Sequence, residues 1–310
     1  MASVALVVGL GVALAGCDQI GMLKAKMAFK SANTLYQQQD YRKAAQKYEE
    51  ALEADPRLTY AYFFLGNSYD NLYKPGRKGE SAANDVLLTK AIDNYRKAAE
   101  VEQDPKIKRL ALEYLVSAYG PDKLNDPSQA EPMVKRMIEL DPKEPANYFA
   151  LANIYEQSGN YDLAEQTLIK AREVRPNDPA VYIQLAGYYN RQGEFDKTIE
   201  ALEARAQKEP SNPEAYYTIA TYYWDKAYRD FRLREADKKK FVQSGVDAVD
   251  KAISLKNDYM EALVYKNLLL RLQANLEKDQ AKQQALLKEA DRLRDLAQEI
   301  RKKRAAGVGN

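Results

Sequence analysis

Hydrophobic positions in the middle of the chain return with a period of 34 residues. Tyr148, Leu151, Ala152 and Tyr155 fall at i, i+3, i+4 and i+7, which places them on one face of a helix. The polar residues between them fall on the other faces. The spacing therefore predicts an amphipathic helix, and the same four positions recur twice, as Tyr182, Leu185, Ala186 and Tyr189 and as Tyr216, Ile219, Ala220 and Tyr223.

Prolines and glycines divide each period into two helices. Gly159 follows the first stripe and allows a tight turn, after which Tyr161, Ala164 and Leu168 begin a second stripe. Proline pairs recur every 34 residues, at 142 and 145, 176 and 179, and 210 and 213. One proline of each pair ends the second helix and the other opens the next first helix. Each period is thus predicted to be a helical hairpin.

This pattern resembles the tetratricopeptide repeat, which has the same length, an aromatic-Leu-Ala-Tyr first helix and an Ala-rich second helix. The resemblance implies an all-α fold, a right-handed α-solenoid of about six to seven hairpins over residues 25–303. Neighbouring repeats would bury their apolar faces against each other. Residues 275–303 are predicted to form one long charged helix that caps the stack, and 304–310 a frayed tail.

Two insertions of 13 residues interrupt the period, near 74–90 and 226–240. The first contains Pro75 and Gly76, which predicts a loop followed by an early second helix. The second has no helix breaker, so its first helix is expected to continue for about two turns. One interpretation is a pair of solvated, extended hairpins. The other is contact with an anionic partner or lipid headgroups through the insertion tips, at Tyr228, Arg229, Phe231, Arg232 and Arg234.

The first seventeen residues have the features of a targeting segment. Ala2–Gly16 is uncharged and too short for a stable membrane span, and Leu14-Ala15-Gly16-Cys17 resembles the lipobox of bacterial lipoproteins. The resemblance implies a signal peptide at 1–16, lipidation of Cys17, a short tether at 17–24 and a membrane-anchored protein that faces the periplasm or exterior. No Lys or Arg precedes the apolar run, so an uncleaved anchor helix is the alternative, and a plain buried helix is a third.

Composition removes most kinds of enzyme. The chain has no histidine and one cysteine, so the commonest general base, zinc clusters of Cys and His, and disulfides are excluded. Its 47 basic and 45 acidic side chains leave a net charge of +2, which does not indicate nucleic acid. We therefore expect no catalytic residue, no metal, no cofactor and no small-molecule substrate.

Family resemblance also implies where a partner would bind. In tetratricopeptide repeats, positions 2, 5, 9 and 12 of each first helix line a groove, and positions 5 and 9 lie on one helix face. Asparagine can pair with an extended peptide backbone, and an aromatic ring can pack on a side chain. The alternative is that these aromatics only pack between repeats. The groove residues so predicted are Phe29, Phe63, Phe149 and Tyr217, with Asn33, Asn67, Asn153 and Trp224.

Together these observations predict a non-catalytic scaffold or adaptor that binds other proteins or extended peptides. In architecture and anchor the chain resembles tetratricopeptide lipoproteins that help to assemble pili or outer-membrane proteins. We expect it to assist assembly or organisation of a membrane or envelope complex. The alternative is a permanent structural subunit of one large membrane or filament complex.

Overall fold

In a computed structural model the chain is all α-helical over the residues that the model describes, 5–77 and 82–307, with side chains described from Gln19 onward. The predicted all-α fold is confirmed. The helices are α1 Ala5–Gln37, α2 Tyr41–Ala54, α3 Tyr60–Leu72, α4 Ala82–Val101, α5 Pro105–Tyr119, α6 Pro127–Leu140, α7 Pro145–Gln157, α8 Tyr161–Val174, α9 Pro179–Arg191, α10 Phe195–Lys208, α11 Pro213–Arg229, α12 Glu235–Leu255, α13 Met260–Leu276 and α14 Gln280–Ala305.

The chain divides into two compact units, Met1–Thr167 and Leu168–Asn310. In the first, α1 packs on α2, α3 on α4 and α5 on α6, and each hairpin contacts the next through its second helix. In the second, α9 packs on α10, α11 on α12 and α13 on α14. Each unit is therefore a series of stacked hairpins, which is the arrangement of an α-solenoid.

A polar cap followed by proline starts many of the first helices. Asp104, Asp178 and Asn212 each accept a hydrogen bond from the backbone N–H two residues later, at 2.8, 2.9 and 3.0 Å. The proline between cap and donor sits at the first helical position, where no N–H is needed. The proline spacing in the sequence thus marks helix starts because it is coupled to these caps.

Small residues let helices approach closely, both within a hairpin, as at Gly66 on α3 against α4, and between hairpins, as at Gly245 on α12 against α13. A Cβ added to Gly66 would lie 2.9 Å from the ring of Tyr95, and one added to Gly245 would lie 2.8 Å from Leu269. Tyr95 and Leu269 are both fully buried. The core therefore pairs a large side chain on one helix with a glycine or alanine on the other.

The two insertions differ from each other in structure. After α3, a short 3-10 helix at Pro75–Arg77 precedes the 20-residue α4. This agrees with the prediction of a loop followed by an early second helix. In the second insertion, α11 has 17 residues where α7 and α9 have 13, so it is longer by about one turn and not two. The rest of the insertion forms a turn at 230–234 and lengthens α12 to 21 residues.

Both ends of the chain differ in detail from the sequence interpretation. The predicted long charged C-terminal helix is present as α14, but it begins at Gln280 and not at 275: α13 ends at Leu276, and Asp279 caps α14 by accepting hydrogen bonds from the N–H groups of Ala281 and Lys282. Residues 17–24, predicted as a tether, belong to α1. The predicted signal peptide and the lipidation motif ending at Cys17 lie outside the residues whose side chains are described.

Candidate functional site

In the first unit, two of the predicted groove aromatics pack inside an aromatic cluster. The ring of Phe29 lies 4.7 Å from that of Tyr60 and 5.5 Å from that of Tyr48. Phe63 is buried, and its ring lies 5.5 Å from that of Tyr114 on the next hairpin. Ring pairs at these distances stabilise the contact between hairpins. These two side chains therefore serve the packing between repeats that the sequence interpretation had left as an alternative.

Asn33 and Asn67 are occupied by hydrogen bonds within the chain. The buried Tyr48 donates a hydrogen bond from its hydroxyl to Asn33 Oδ1 at 2.6 Å. Asn67 is only 4% exposed; its Oδ1 accepts hydrogen bonds from the Tyr36 hydroxyl and, at 2.8 Å, from Asn71 Nδ2. Its own Nδ2 donates to the Tyr95 hydroxyl at 3.4 Å. Asn67 is thus a buried polar link between helices.

This link continues into a partly buried ion pair. The Tyr95 hydroxyl donates to Asp70 Oδ2 at 3.3 Å, and Lys123 Nζ lies 2.5 Å from Asp70 Oδ1. Burial, and after it the nearby Asp70 carboxylate, raises the pKa of Tyr95, so the hydroxyl stays protonated and able to donate. A continuous polar network therefore connects the second hairpin with the turn between α5 and α6, and it stabilises that turn.

Asn153 differs from the other two predicted asparagines because its side chain is exposed. It lines a cleft of about 480 Å³ together with Ile154 and Gln157 on α7. The turn after α5 forms the opposite wall, with Pro121 and Lys123. The neighbouring groove residue of α7, Phe149, is half-buried. In the first unit, α7 is therefore where a predicted groove asparagine is open to a partner.

In the second unit, the structure brings both predicted groove residues into one line of rings, here called the aromatic row. It consists of Tyr259, Tyr217, Tyr265, Trp224 and Tyr228. Successive ring centroids are 5.2, 5.4, 5.6 and 4.9 Å apart. The last pair, Trp224 and Tyr228, is stacked with an interplanar angle of 10°. Tyr259 and Tyr265 were missed at the sequence level because Tyr259 precedes α13 and Tyr265 is its sixth residue, so neither falls at a groove position 2, 5, 9 or 12.

Four rings of the aromatic row are half-buried, and only Tyr228, at the end nearest the insertion, is exposed. Tyr217 is half-buried, and this burial, with Tyr265 and Tyr259 nearby, raises its pKa to about 12. Tyr217 is therefore uncharged at neutral pH. Tyr228 at the other end is 60% exposed. The row thus offers a partner rigid, uncharged rings that already have their packing neighbours.

Beyond the aromatic row, an ordered turn holds a phenylalanine in solvent. Phe231 is 91% exposed. Asp230 orders the turn, because its carboxylate accepts hydrogen bonds from Lys226 Nζ at 2.9 Å and from the backbone N–H of Arg232 at 3.1 Å. Hydrogen bonds from Lys226 and Arg232 lower the pKa of Asp230 to about 2. The exposed phenyl ring therefore projects from a turn that is fixed by charged hydrogen bonds.

The arginines predicted as a basic tip are each paired with a carboxylate. Arg229 lies 2.6 Å from Asp225, Arg232 lies 3.2 Å from Asp230, and Arg234 lies 2.7 Å from Asp237. These exposed pairs are worth at most about 1 kcal/mol each and can exchange partners. The three aspartates nevertheless offset the positive charge of the three arginines. Aromatic surface is consequently the stronger feature of the tip.

Neither a group of metal-ligating side chains nor a membrane-spanning helix is found in the described part of the chain. Over residues 5–77 and 82–307, no three or more His, Cys, Asp or Glu side chains group as a metal site would require. Within the same ranges, no helix combines the length and apolar character of a membrane span.

Comparison with models of protein families identifies a known helical repeat in the chain. Three family models, each described as tetratricopeptide repeat, match residues 29–83, 123–186 and 179–222. No curated protein matches the chain.

Solved structures resemble the chain in fold at low sequence identity. The C-terminal part of a tetratricopeptide repeat-containing protein from Cytophaga hutchinsonii is 18% identical, with 86% of this chain and 95% of that chain covered and a TM-score of 0.56. A tetratricopeptide repeat protein from Parabacteroides merdae is 16% identical, with coverages of 86% and 99% and a TM-score of 0.46. PilW, described as a widely conserved type IV pilus biogenesis factor, is 18% identical, with coverages of 84% and 98% and a TM-score of 0.39. Only the first of these structures has a TM-score high enough to support a shared fold. At such low sequence identity, none of the three indicates what this chain does.

Proposed function

The chain contains tetratricopeptide repeats, and we propose on that basis that it is a non-catalytic protein–protein interaction scaffold, lipid-anchored at the bacterial envelope. There it assists assembly or organisation of a membrane or envelope complex by holding other proteins or extended peptides. Stacked helical repeats provide extended surfaces for this kind of binding. The absence of histidine from the sequence supports a role without acid–base chemistry.

The observation that carries the proposal is the aromatic row with the exposed Phe231 beyond its end. Tyrosine and tryptophan dominate binding energy at protein interfaces because they bury a large apolar area with few rotatable bonds. Complete burial of one phenylalanine side chain contributes about 1.5–3 kcal/mol. In the aromatic row, the edge and stacking contacts already fix the rings, so a partner would lose little conformational entropy by ordering them.

Attachment to the membrane is the second part of the proposal, and the Leu14-Ala15-Gly16-Cys17 motif supports it. Acyl chains on Cys17 would hold the protein stably, since two or more chains bind far more firmly than one. Replacing Cys17 by Ser is expected to move the protein from the membrane to the soluble fraction. Retention of C17S in washed membranes would favour an uncleaved anchor helix instead.

Photocrosslinking tests the partner-binding part directly. A benzoylphenylalanine placed at Phe231 in cells should capture a discrete polypeptide, whereas the same group at Leu163, an exposed apolar residue on α8, should not. The variants F231A and Y228A should fold normally and reduce recovery of that polypeptide from native membranes. The control L163A should leave it unchanged. Capture that is the same at both positions, or unaffected by F231A, would contradict the proposed surface.

The alternative, a permanent structural subunit, predicts a different behaviour of the same complex. An adaptor should exchange its partner when unlabelled protein is added, and it should be recovered in sub-stoichiometric amounts. A permanent subunit should co-purify at fixed stoichiometry and resist exchange and salt. Pulse-labelled exchange of the crosslink-verified partner distinguishes the two.

A further inference from the structure

The first helix carries an apolar stripe on a face that no other helix covers within the described part of the chain. Ile20, Leu23 and Met27 are 57%, 62% and 66% exposed, although they are large hydrophobic residues. At about 100° per residue, these positions lie within about 60° of one another around α1. The opposite face carries Ala25 and Ala32, which are fully buried. The helix is thus packed against the fold on one side and apolar toward solvent on the other.

Positive charge borders this stripe, and one of its lysines, Lys26, is close enough to the Asp55 carboxylate of the neighbouring segment to interact with its charge. Lys24 and Lys30 lie on either side of the stripe around the helix, each about 60° from its centre. Lys26 follows farther around the same exposed surface. From residue 19 to residue 39 the sequence contains these three lysines and neither Asp nor Glu. An apolar face flanked by lysines is the composition of a helix that lies in a membrane interface.

The position of the stripe in the chain also favours a lipid surface. Ile20 is three residues after Cys17, about 4.5 Å along a helix, and Met27 is about 15 Å from it. The apolar segment Ala2–Gly16 immediately precedes. Either form of anchor, acylated cysteine or retained apolar helix, would bring the stripe to the bilayer. A second copy of the chain fits less well, since pairing two stripes would bring Lys24 and Lys30 of both copies together without a carboxylate between them.

We propose that residues 19–30 of α1 lie along the surface of an anionic membrane, with Ile20, Leu23 and Met27 among the upper acyl chains and the lysines at the headgroups. This inference rests on the proposed membrane attachment and adds an orientation to it. The helix would lie flat and hold the first hairpin against the bilayer, so the anchor would act as more than a tether. An upright α1 would instead place all of its faces at equal depth.

Tryptophan quenching measures this orientation in the full chain. Trp224 is the only tryptophan, so a W224F background allows one reporter at a time. The variant L23W places the reporter tryptophan on the stripe. The variant M22W places it one residue earlier, on a different side of α1, at a position that is 38% exposed. Both are reconstituted into phosphatidylcholine–phosphatidylglycerol vesicles with brominated acyl chains. A flat helix buries its apolar face about 5–10 Å into the headgroup boundary, so we expect L23W emission to be quenched several-fold more than M22W emission.

A charge variant and vesicle flotation separate the possible outcomes. In the L23W protein, K24Q/K30Q should reduce quenching while the protein still floats with the vesicles, since each lysine near an anionic surface favours contact about five-fold. Equal quenching of L23W and M22W in floating protein overturns the flat orientation and leaves the attachment standing. A concentration-dependent blue shift of L23W without vesicles assigns the stripe to a second copy and overturns the proposal. Failure to float refutes both the orientation and the attachment.

Discussion

Replacement of Asn67 by Ala tests whether the asparagines at one repeat position have one role or two. Asn67 and Asn153 occupy equivalent positions in their hairpins, but the first is buried and the second exposed. The Asn67 side chain takes part in three hydrogen bonds with side chains of α1, α3 and α4. Asn153 Oδ1 accepts a single long hydrogen bond, at 3.4 Å, from an exposed glutamine.

The expected cost follows from what each partner retains. After the N67A substitution, the half-buried Tyr36 can donate to water. Tyr95 keeps its hydrogen bond to Asp70 at 3.3 Å, and its bond to Asn67 was already long at 3.4 Å. The loss is therefore less than three full hydrogen bonds, and we expect the free energy of unfolding to fall by about 2 kcal/mol. Substitution of the exposed Asn153 by Ala should change it by less than about 0.5 kcal/mol.

Urea unfolding followed by circular dichroism gives the two free energies. Since repeat proteins can unfold in parts, amide exchange should locate the loss in α1 to α4. Partner recovery from native membranes is measured in parallel, and N153A is expected to affect it more than N67A when each is corrected for stability. Equal stabilities of the N67A and N153A proteins would refute the reasoning from burial, because sequence position would then outweigh environment.

Other perturbations probe the ion pair, the close packing and the ordered turn. Asp70→Asn should cost about 2 kcal/mol, because Lys123 keeps a charge on a side chain that is only 15% exposed; D70N/K123M should recover most of it in urea unfolding. Gly245→Ala should cost about 1–3 kcal/mol in thermal unfolding, since its Cβ would lie 2.8 Å from the buried Leu269. The pKa of Asp230 is lowered from 3.8 to about 2, so the turn after it should keep its amide protection above pH 4 and lose it as the pH falls toward 2.

Each of these has a contrary outcome. If D70N/K123M is less stable than D70N, the lysine contributes through packing and not through its charge. A neutral G245A would mean that Leu269 adopts another rotamer at no cost. For Asp230, the depressed pKa makes its contribution present above the ordinary value and absent below about 2; loss of protection already near pH 4 would show that the carboxylate is not hydrogen-bonded in solution.

The sequence by itself determined the elements that depend on local spacing. The 34-residue period, the proline after the polar caps of several first helices and the stripe at i, i+3, i+4 and i+7 specify helical hairpins, because helix periodicity and capping involve residues within two turns of each other. The four hairpin residues Tyr148, Leu151, Ala152 and Tyr155 are buried as predicted. The absence of histidine likewise narrowed the function without any structure.

Only tertiary structure decided which equivalent side chains stay accessible. Asn67 is buried because Tyr36 of the preceding hairpin and Tyr95 of its own second helix meet over it, whereas no such pair covers Asn153. Trp224 and Tyr228 on α11 joined an aromatic row through the contact of Trp224 with Tyr265, which lies on α13 of the next hairpin. These contacts join residues from different helices, and the repeat pattern is the same whether they form or not. A repeat therefore specifies its own helices, while its neighbours determine which of its residues remain available to bind.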